Sequence, residues 1–348
     1  MVKFNLDKFI DNLMMTLKPK QQIVIGKRFG LKNGEKATLQ NIGDVFGITR
    51  ERVRQIEAQI LKNISPSIKE GTGEILELVN EHLDRLGGVR RDEEFLNDLR
   101  YFLSARDVKC FEQKIKFILE ISEVPFYYRE DQNFYSFWYL NEEKKENFFE
   151  FIRQFINFLK SQDKAAVLEK KIHLEKLKEL LLTHSHFLAV SKKIGFNNFG
   201  DLGLTEWPEI QPRTIRDKIY LVLKKHGQPL HFGHIAKNIQ TFGIDTKPAH
   251  VQTVHNELVK DERFVLVGRG LYGLKEHGFE PGTVREVIVK ILKNKKALSS
   301  SEIMKQVKQK KFVKDTTILL NLQNKEYFRR SPDGHYSLVS KSEVPQKT

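Results

Sequence analysis

Four side chains stand out for the chemistry their types and spacing allow. They are Arg50, Glu51, Arg54 and Gln55, in the stretch TLQNIGDVFGITRERVRQIEAQILKNI at residues 38–64. On a helix, positions i, i+1, i+4 and i+5 share one face. An arginine fork fits guanine, a glutamate accepts from cytosine, and a glutamine fits adenine. A solvated charged face is the ordinary reading of such a run, so the surrounding pattern has to decide. Leu39, Ile42, Val45, Ile48, Val53, Ile56 and Ile60 are spaced to share one core. Gly43 permits close helix approach, and Gly47 supplies the backbone freedom of a tight turn. Thr49 reads as the N-cap of the second helix. The four polar side chains then lie at the N-terminus of a helix-turn-helix recognition helix, where bases are contacted.

The chain that must position them has 348 residues, 40% of them hydrophobic, and a formal charge of +14. Roughly two to four domains are expected at this length. A single cysteine, Cys110, leaves no intramolecular disulfide and no cysteine-rich zinc site, which fits a reducing cytoplasm. The stretch MVKFNLDKFIDNLMMTLKPK mixes charge with apolar residues, so neither a signal peptide nor a membrane span is expected there. Charge is segregated. Residues 1–65 carry 12 basic and 6 acidic side chains, and residues 66–210 carry 21 and 26. Residues 211–279 carry 11 and 6, and residues 280–348 carry 15 and 7. Basic ends around an acidic spacer suit separate contacts with a polyanion.

The pattern predicts a helix over 4–17, a second opening at Pro19, and the bihelical unit, with SPS at 65–67 closing the module. Residues 72–122 read as mainly helical. VPFYYREDQNFYSFWYL reads as strand, polar turn, strand, followed by long heptad-like helices across 147–182. GFNNFGDLGLTEWPEIQP reads as a linker. An internal repeat follows. Thr253, Leu258, Phe264, Gly270, Tyr272 and Leu274 recur as Thr317, Leu322, Phe328, Gly334, Tyr336 and Leu338, always 64 residues on. Leu230 and Ile235 match Leu298 and Ile303 at an offset of 68, the difference falling in the loop around TFGIDTKP. Helix, short helix, helix and hairpin is the order of a winged helix, and 72–140 follows the same order loosely. The expected fold is mainly α with small β-hairpin wings, a helix-turn-helix followed by tandem winged helices. Expected boundaries are 1–65, 66–140 (a divergent winged helix), 141–210 (helical spacer and linker), 211–279, 280–340 and a flexible tail at 341–348.

Residues 9–64 resemble the fourth conserved region of bacterial primary-type sigma factors. RFGL at 28–31, TL at 38–39, IG at 42–43 and TRERVRQIEA at 49–58 carry the resemblance. In that family this region binds the promoter −35 element and the flap of the RNA polymerase β subunit. The resemblance therefore implies base reading by Arg50, Glu51, Arg54 and Gln55, and backbone contacts by Thr49 and Arg52. Nothing later resembles the family's melting regions, so promoter opening by this chain alone is not expected. Residues 213–277 are similar to the HARE-type winged-helix domain, also found in the delta subunit of some bacterial RNA polymerases. PLHFGHIAKNI, TVHNEL and RFVLVGRGLYGL carry that similarity. In the downstream copy, RRSPDGHY places Arg329, Arg330 and His335 near a hairpin tip, as phosphate or minor-groove contacts or as an ordinary basic turn.

GRGLYG at 268–273 fits a dinucleotide fingerprint, but the fingerprint needs a helix directly after its glycines, and a short strand is expected here. His184 and His186, at i and i+2, cannot share a helical face for a metal. No nucleophile–base set stands out, so no cofactor, metal or enzymatic activity is expected. The expectation is a cytoplasmic, nucleoid-associated DNA-binding transcription regulator. Its expected partners are promoter-like double-stranded DNA and RNA polymerase core; no membrane association is expected. Oligomeric state is left open by the sequence. A polymerase-associated, delta-like interaction protein and an accessory DNA-binding subunit of a restriction or repair system are the alternatives.

Overall fold

The computed structural model describes residues 4–168 and 185–339. The heptad-like helices expected across 147–182, the tail and His184 fall wholly or partly outside those residues. The chain forms two compact units, one built mainly from residues up to 195 and one mainly from 206 onward. Both are mainly α with small antiparallel sheets, as the sequence predicts.

The first unit opens with α1 (Leu6–Met15), α2 (Pro19–Phe29), α3 (Leu39–Phe46) and α4 (Arg50–Gly71). Asn5, Thr38 and Thr49 cap α1, α3 and α4 with side-chain acceptors. Ile42, Val53 and Ile60 are fully buried, with Leu39, Ile48 and Ile56 packed against them. Val45, expected in this core, is 60% exposed. Phe46, four residues after Ile42, takes the inward position instead. An added Cβ on Gly43 would lie 2.5 Å from the Ile48 carbonyl oxygen, so only glycine permits this helix crossing. Gly47 ends α3 in the left-handed conformation, with φ +65°.

The helix does not end at residues 65–67. α4 runs through Pro66 to Gly71. A proline inside a helix costs about 3 kcal/mol. Ile64 and Ile68 carry the buried stripe across it, and each contributes about 1.5–3 kcal/mol on burial, which offsets the break. At Gly71 a Cβ would meet the Phe9 ring at 2.6 Å, so α1 lies against the end of α4.

The same core continues without interruption. Next come α5 (Gly73–Arg85), β1 (Val89–Arg91), α6 (Asp92–Phe102), α7 (Phe111–Ser122), β2 (Phe126–Tyr128) and β3 (Phe137–Tyr139). The sheet order is β1-β3-β2, with Val89 and Phe126 both opposite Tyr139. This is the winged-helix order that residues 72–140 match only loosely in sequence. α8 (Glu142–Ser161) follows, burying Phe148, Ile152, Phe155 and Leu159, and then come α9 (Lys164–Leu168), β4 (Ile194–Phe196) and β5 (Leu202–Leu204).

Residues expected as a plain linker include an ordered loop in the second unit. The Asn197 amide is buried, donating to Asp201 Oδ2 at 2.9 Å and to the Glu209 carbonyl at 3.0 Å. Its Oδ1 accepts from the Phe199 and Asp201 amides, each at 2.9 Å.

The sequence repeat is a structural repeat. Its first copy is α10 (Ile215–His226), β6 (Leu230–His231), α11 (Phe232–Thr241), α12 (Val251–Lys260), β7 (Phe264–Gly268) and β8 (Leu271–Leu274). Its second copy is α13 (Val284–Asn294), β9 (Ala297–Ser299), α14 (Ser300–Lys310), α15 (Asp315–Leu322), β10 (Phe328–Arg330) and β11 (His335–Leu338). Phe264 faces Leu274 just as Phe328 faces Leu338. Leu230 faces Tyr272 just as Leu298 faces Tyr336. Lys311 Nζ donates to the Leu266 carbonyl at 2.7 Å, and the Phe312 amide donates to the Val267 carbonyl at 3.2 Å, so the second copy docks on the wing of the first.

Candidate nucleic-acid interface

The start of α4 holds six of the expected site residues together. Thr49 Oγ1 accepts from the Arg52 amide at 3.2 Å, which fixes where the helix begins. Arg50, Glu51, Arg52, Arg54 and Gln55 are all exposed or half-exposed over the next turns, while Val53 beneath them is buried. The face is internally linked. Arg54 Nε donates to both Glu51 carboxylate oxygens, at 3.1 and 3.0 Å, and Arg54 Nη2 donates to Oε1 at 2.7 Å. Arg52 Nη1 donates to Gln55 Oε1 at 3.1 Å. The hydrogen bond from Arg54 holds the Glu51 carboxyl below the usual glutamate range, and the same bond raises Arg54. Glu51 is therefore an acceptor at neutral pH, and Arg54 a fixed cation beside it. Together they offer donor and acceptor groups at the end of a helix whose dipole favours anions.

Arg28, in the RFGL stretch, lies behind this face. Its Nε donates to Glu57 Oε1 at 3.1 Å and its Nη1 to the Ala37 carbonyl at 3.4 Å, tying α2 to α4. Beside Arg52 a mostly apolar groove of about 320 Å³ opens, lined in part by Val24, Phe46, Ile48 and Ile56.

The first winged-helix unit turns its third helix inward. α7, in the recognition-helix position, buries Phe111, Ile115, Phe117, Ile118, Leu119 and Ile121. The Phe117 ring meets Phe29 of α2 edge-on at 4.8 Å. Gln113 Nε2 donates to the Gly34 carbonyl at 3.2 Å, and buried Lys114 pairs with Asp7 of α1. The wing is fastened too. The Tyr135 amide donates to the Val190 carbonyl at 2.9 Å, and the Lys192 amide donates to the Asn133 carbonyl at 2.8 Å. The sequence hinted at this only through α7 itself, a helix with apolar residues on more than one face.

In the last copy, Arg329 and Arg330 are exposed on β10. The Arg330 guanidinium lies 5.8 Å from the centre of the Tyr336 ring. His335 is half-buried, with its Nδ1 3.1 Å from Asp333 Oδ2. These three residues share one hairpin, separate in sequence and in core from α4. The glycines of GRGLYG lie at and around the turn from β7 to β8, and a strand follows them, not a helix. His186 has a structural place, its Nε2 hydrogen-bonding with the Leu86 carbonyl.

The fold and this face define a helix-turn-helix module followed by winged-helix units. Comparison with known proteins gives the particulars. Residues 13–65 match the family described as sigma-70, region 4. Residues 213–277 match the HARE-HTH family, a helix-turn-helix domain described for ASXL and restriction endonuclease proteins. Over 55 residues the chain is 44% identical to the RNA polymerase sigma factor SigA of Microcystis aeruginosa and to that of a Synechocystis species. Those matches cover 16% of this chain and 13% of each relative. Among the described residues no helix is long and apolar enough to cross a membrane.

Proposed function

We propose that this protein is a DNA-binding transcription regulator that reads a −35-like promoter element through α4. The observation that carries this is the exposed, capped start of α4 inside the segment that matches sigma-70 region 4. Arg50, Glu51, Arg54 and Gln55 read base edges, and Thr49 and Arg52 contact the backbone. The winged helices of the second unit add further contacts, and tethering makes individually weak contacts effective together. Arg329, Arg330 and His335 are the proposed wing contacts.

The test is a band-shift titration of the full chain with a −35-like duplex and with a scrambled one. Wild type binds the specific duplex more tightly, and its affinity falls steeply with salt. Arg54→Ala keeps the salt dependence and loses the preference. Equal binding of wild type and Arg54→Ala to both duplexes refutes base reading. One observation favours a second reading, docking on RNA polymerase core through the β flap. The apolar groove beside Arg52 is open and suits a protein segment. Co-purification with polymerase that survives nuclease treatment, and is lost in Ile56→Asp, supports that reading instead.

A further inference from the structure

Three helices among the described residues stand in the third-helix position of a winged helix, namely α7, α12 and α15. α7 is docked on α1, α2 and α4. α12 and α15 lie 64 residues apart and can be compared position by position. In α12, Val254 and Leu258 enter the core, and His255 meets the Tyr272 hydroxyl of β8 at 3.4 Å. With about 3.6 residues per turn, the line opposite that core runs through Gln252, Asn256 and Lys260, at i, i+4 and i+8. All three are exposed. Gln252 Nε2 donates to Asn256 Oδ1 at 3.1 Å, so the two amides act as one group. Gln252 Oε1 is left as an acceptor, and the Asn256 amide nitrogen as a donor. In α15 the same line holds Thr316 and Leu320, with no amide at either place.

Charge around the α12 line is one-sided. Asp245, before the helix, pairs with Lys218 of α10. Glu257 accepts from Arg216 Nη2 at 2.8 Å, and Asp261 accepts from Arg263 Nη2 at 2.7 Å. Glu262 lines a cavity with Tyr220 and Leu274. Lys247, Lys260 and Arg269, the last on the turn from β7 to β8, are exposed and make no ion pair among the described residues. The carboxylates of α12 and its flanks are thus largely spent on cations of their own domain, while three unpaired cations border the amides. An amide pair so placed suits a polyanion that displays hydrogen-bonding edges, which is duplex DNA. In the major groove adenine offers a donor at N6 and an acceptor at N7, matching the acceptor and donor left on the pair. Guanine offers two acceptors there, so Gln252 Oε1 would face O6 unpaired. Val251 and Val259, exposed beside the line, suit the methyl group of the opposite thymine.

We infer that α12 is a second reading helix, recognising an A·T base pair in the major groove through Gln252 and Asn256, with Lys247, Lys260 and Arg269 on phosphates. The inference rests on the reading of the protein as a DNA-binding regulator, but not on base reading by α4. Its test is a selection from long randomised duplexes with the full chain. Wild type is expected to select two separate segments. Asn256→Ala loses the segment carrying the A·T pair and keeps the other, and Arg54→Ala does the reverse. In band shifts, changing that A·T pair to G·C weakens wild type roughly 5- to 150-fold, the range of one good amide–adenine pair. The same change leaves Asn256→Ala unaffected. Lys260→Ala weakens binding of every duplex and lowers the salt slope by about one. Asn256 is exposed, so the variant folds, and circular dichroism verifies this. The same selected site from wild type and Asn256→Ala overturns the inference while leaving base reading by α4 standing. An equal loss on every duplex in Asn256→Ala overturns it too, because a phosphate contact alone behaves that way. A segment lost in Asn256→Ala, with none lost in Arg54→Ala, supports this inference and refutes base reading by α4. A photo-crosslinker at position 256 that labels a protein and not duplex DNA overturns the inference and assigns the face to a protein partner.

Discussion

Phe117→Ala separates a reader that stands alone from one that is mounted. Phe117 lies in α7, outside the segment that matches sigma-70 region 4, yet it is fully buried against Phe29 inside it. Truncating a buried phenylalanine costs about 3–5 kcal/mol. Domains are stable by about 5–15 kcal/mol, so the variant stays folded unless the unit is at the low end. The loss must spread through whatever unfolds together with α7. Residues 6–138 contribute to one continuous core, so the amides of α1, α2 and α4 should lose protection together with those of α5–α7. Native-state hydrogen exchange on the full chain measures this, and the expected acceleration is on the order of 10²–10⁴-fold for the slowest amides. Confinement of the change to α5–α7, with α2 and α4 exchanging as in wild type, refutes the shared-core reasoning. The same logic bears on a fragment ending at residue 65. It cuts α4 before Ile68 and removes α7, so it should lose stability as well as affinity.

Two further outcomes follow from single contacts. Thr49→Ala removes the cap of α4 and costs about 1 kcal/mol. It should speed exchange of the Arg52 amide, the donor Thr49 accepts from, and weaken binding of the specific duplex more than Thr38→Ala does. Asp98 accepts from His82 and from Arg90, both at 2.9 Å. Burial raises its carboxyl, but those hydrogen bonds together with the Arg90 charge outweigh burial and hold it below the usual aspartate range. A depressed carboxylate stabilises the fold above its unfolded pKa, and that stability is lost as pH falls through the folded one. Urea unfolding of wild type should therefore weaken below about pH 4. Asp98→Asn should cost on the order of 1–3 kcal/mol at neutral pH and flatten the acid limb, and an unchanged acid limb would contradict this role.

The exposed face at the start of α4 was legible because its signals are local. A cap, a turn glycine and a 3.6-residue period all lie between Thr38 and Ile60, and the structure follows them at every position but Val45. The repeat was legible for a similar reason, since Phe264, Gly270 and Tyr272 recur at one offset. The hidden part depends on distant partners. Gln113 reaches Gly34 and Lys114 reaches Asp7, far back in the chain, and no local period encodes such pairs. Pro66 misled because a helix breaker is judged locally, whereas Ile64 and Ile68 hold the helix through a tertiary core. Val45 misled because its neighbour Phe46 is larger and takes the inward site. Asn197 sits in a glycine-rich stretch that reads as flexible, and only its four hydrogen bonds show otherwise.

The pairing of Glu51 with Arg54 bears on how the face would read bases. Both side chains are more than half exposed, and an exposed ion pair is weak because water competes for both partners. Exchanging it for base contacts therefore sacrifices little. What the pair provides is arrangement: long side chains lose rotamer freedom on binding, and here Arg54 with Glu51, and Arg52 with Gln55, are already drawn into two linked sets. Glu51→Gln keeps the shape and removes the charge. If the carboxylate serves only to hold Arg54, this variant should keep the arginine's base preference and bind phosphate-rich DNA more tightly at low salt. If the carboxylate itself accepts from cytosine, discrimination at one base position should vanish while the others persist. A selection from randomised duplexes with wild type and Glu51→Gln distinguishes these roles, because each predicts a different column of the selected site.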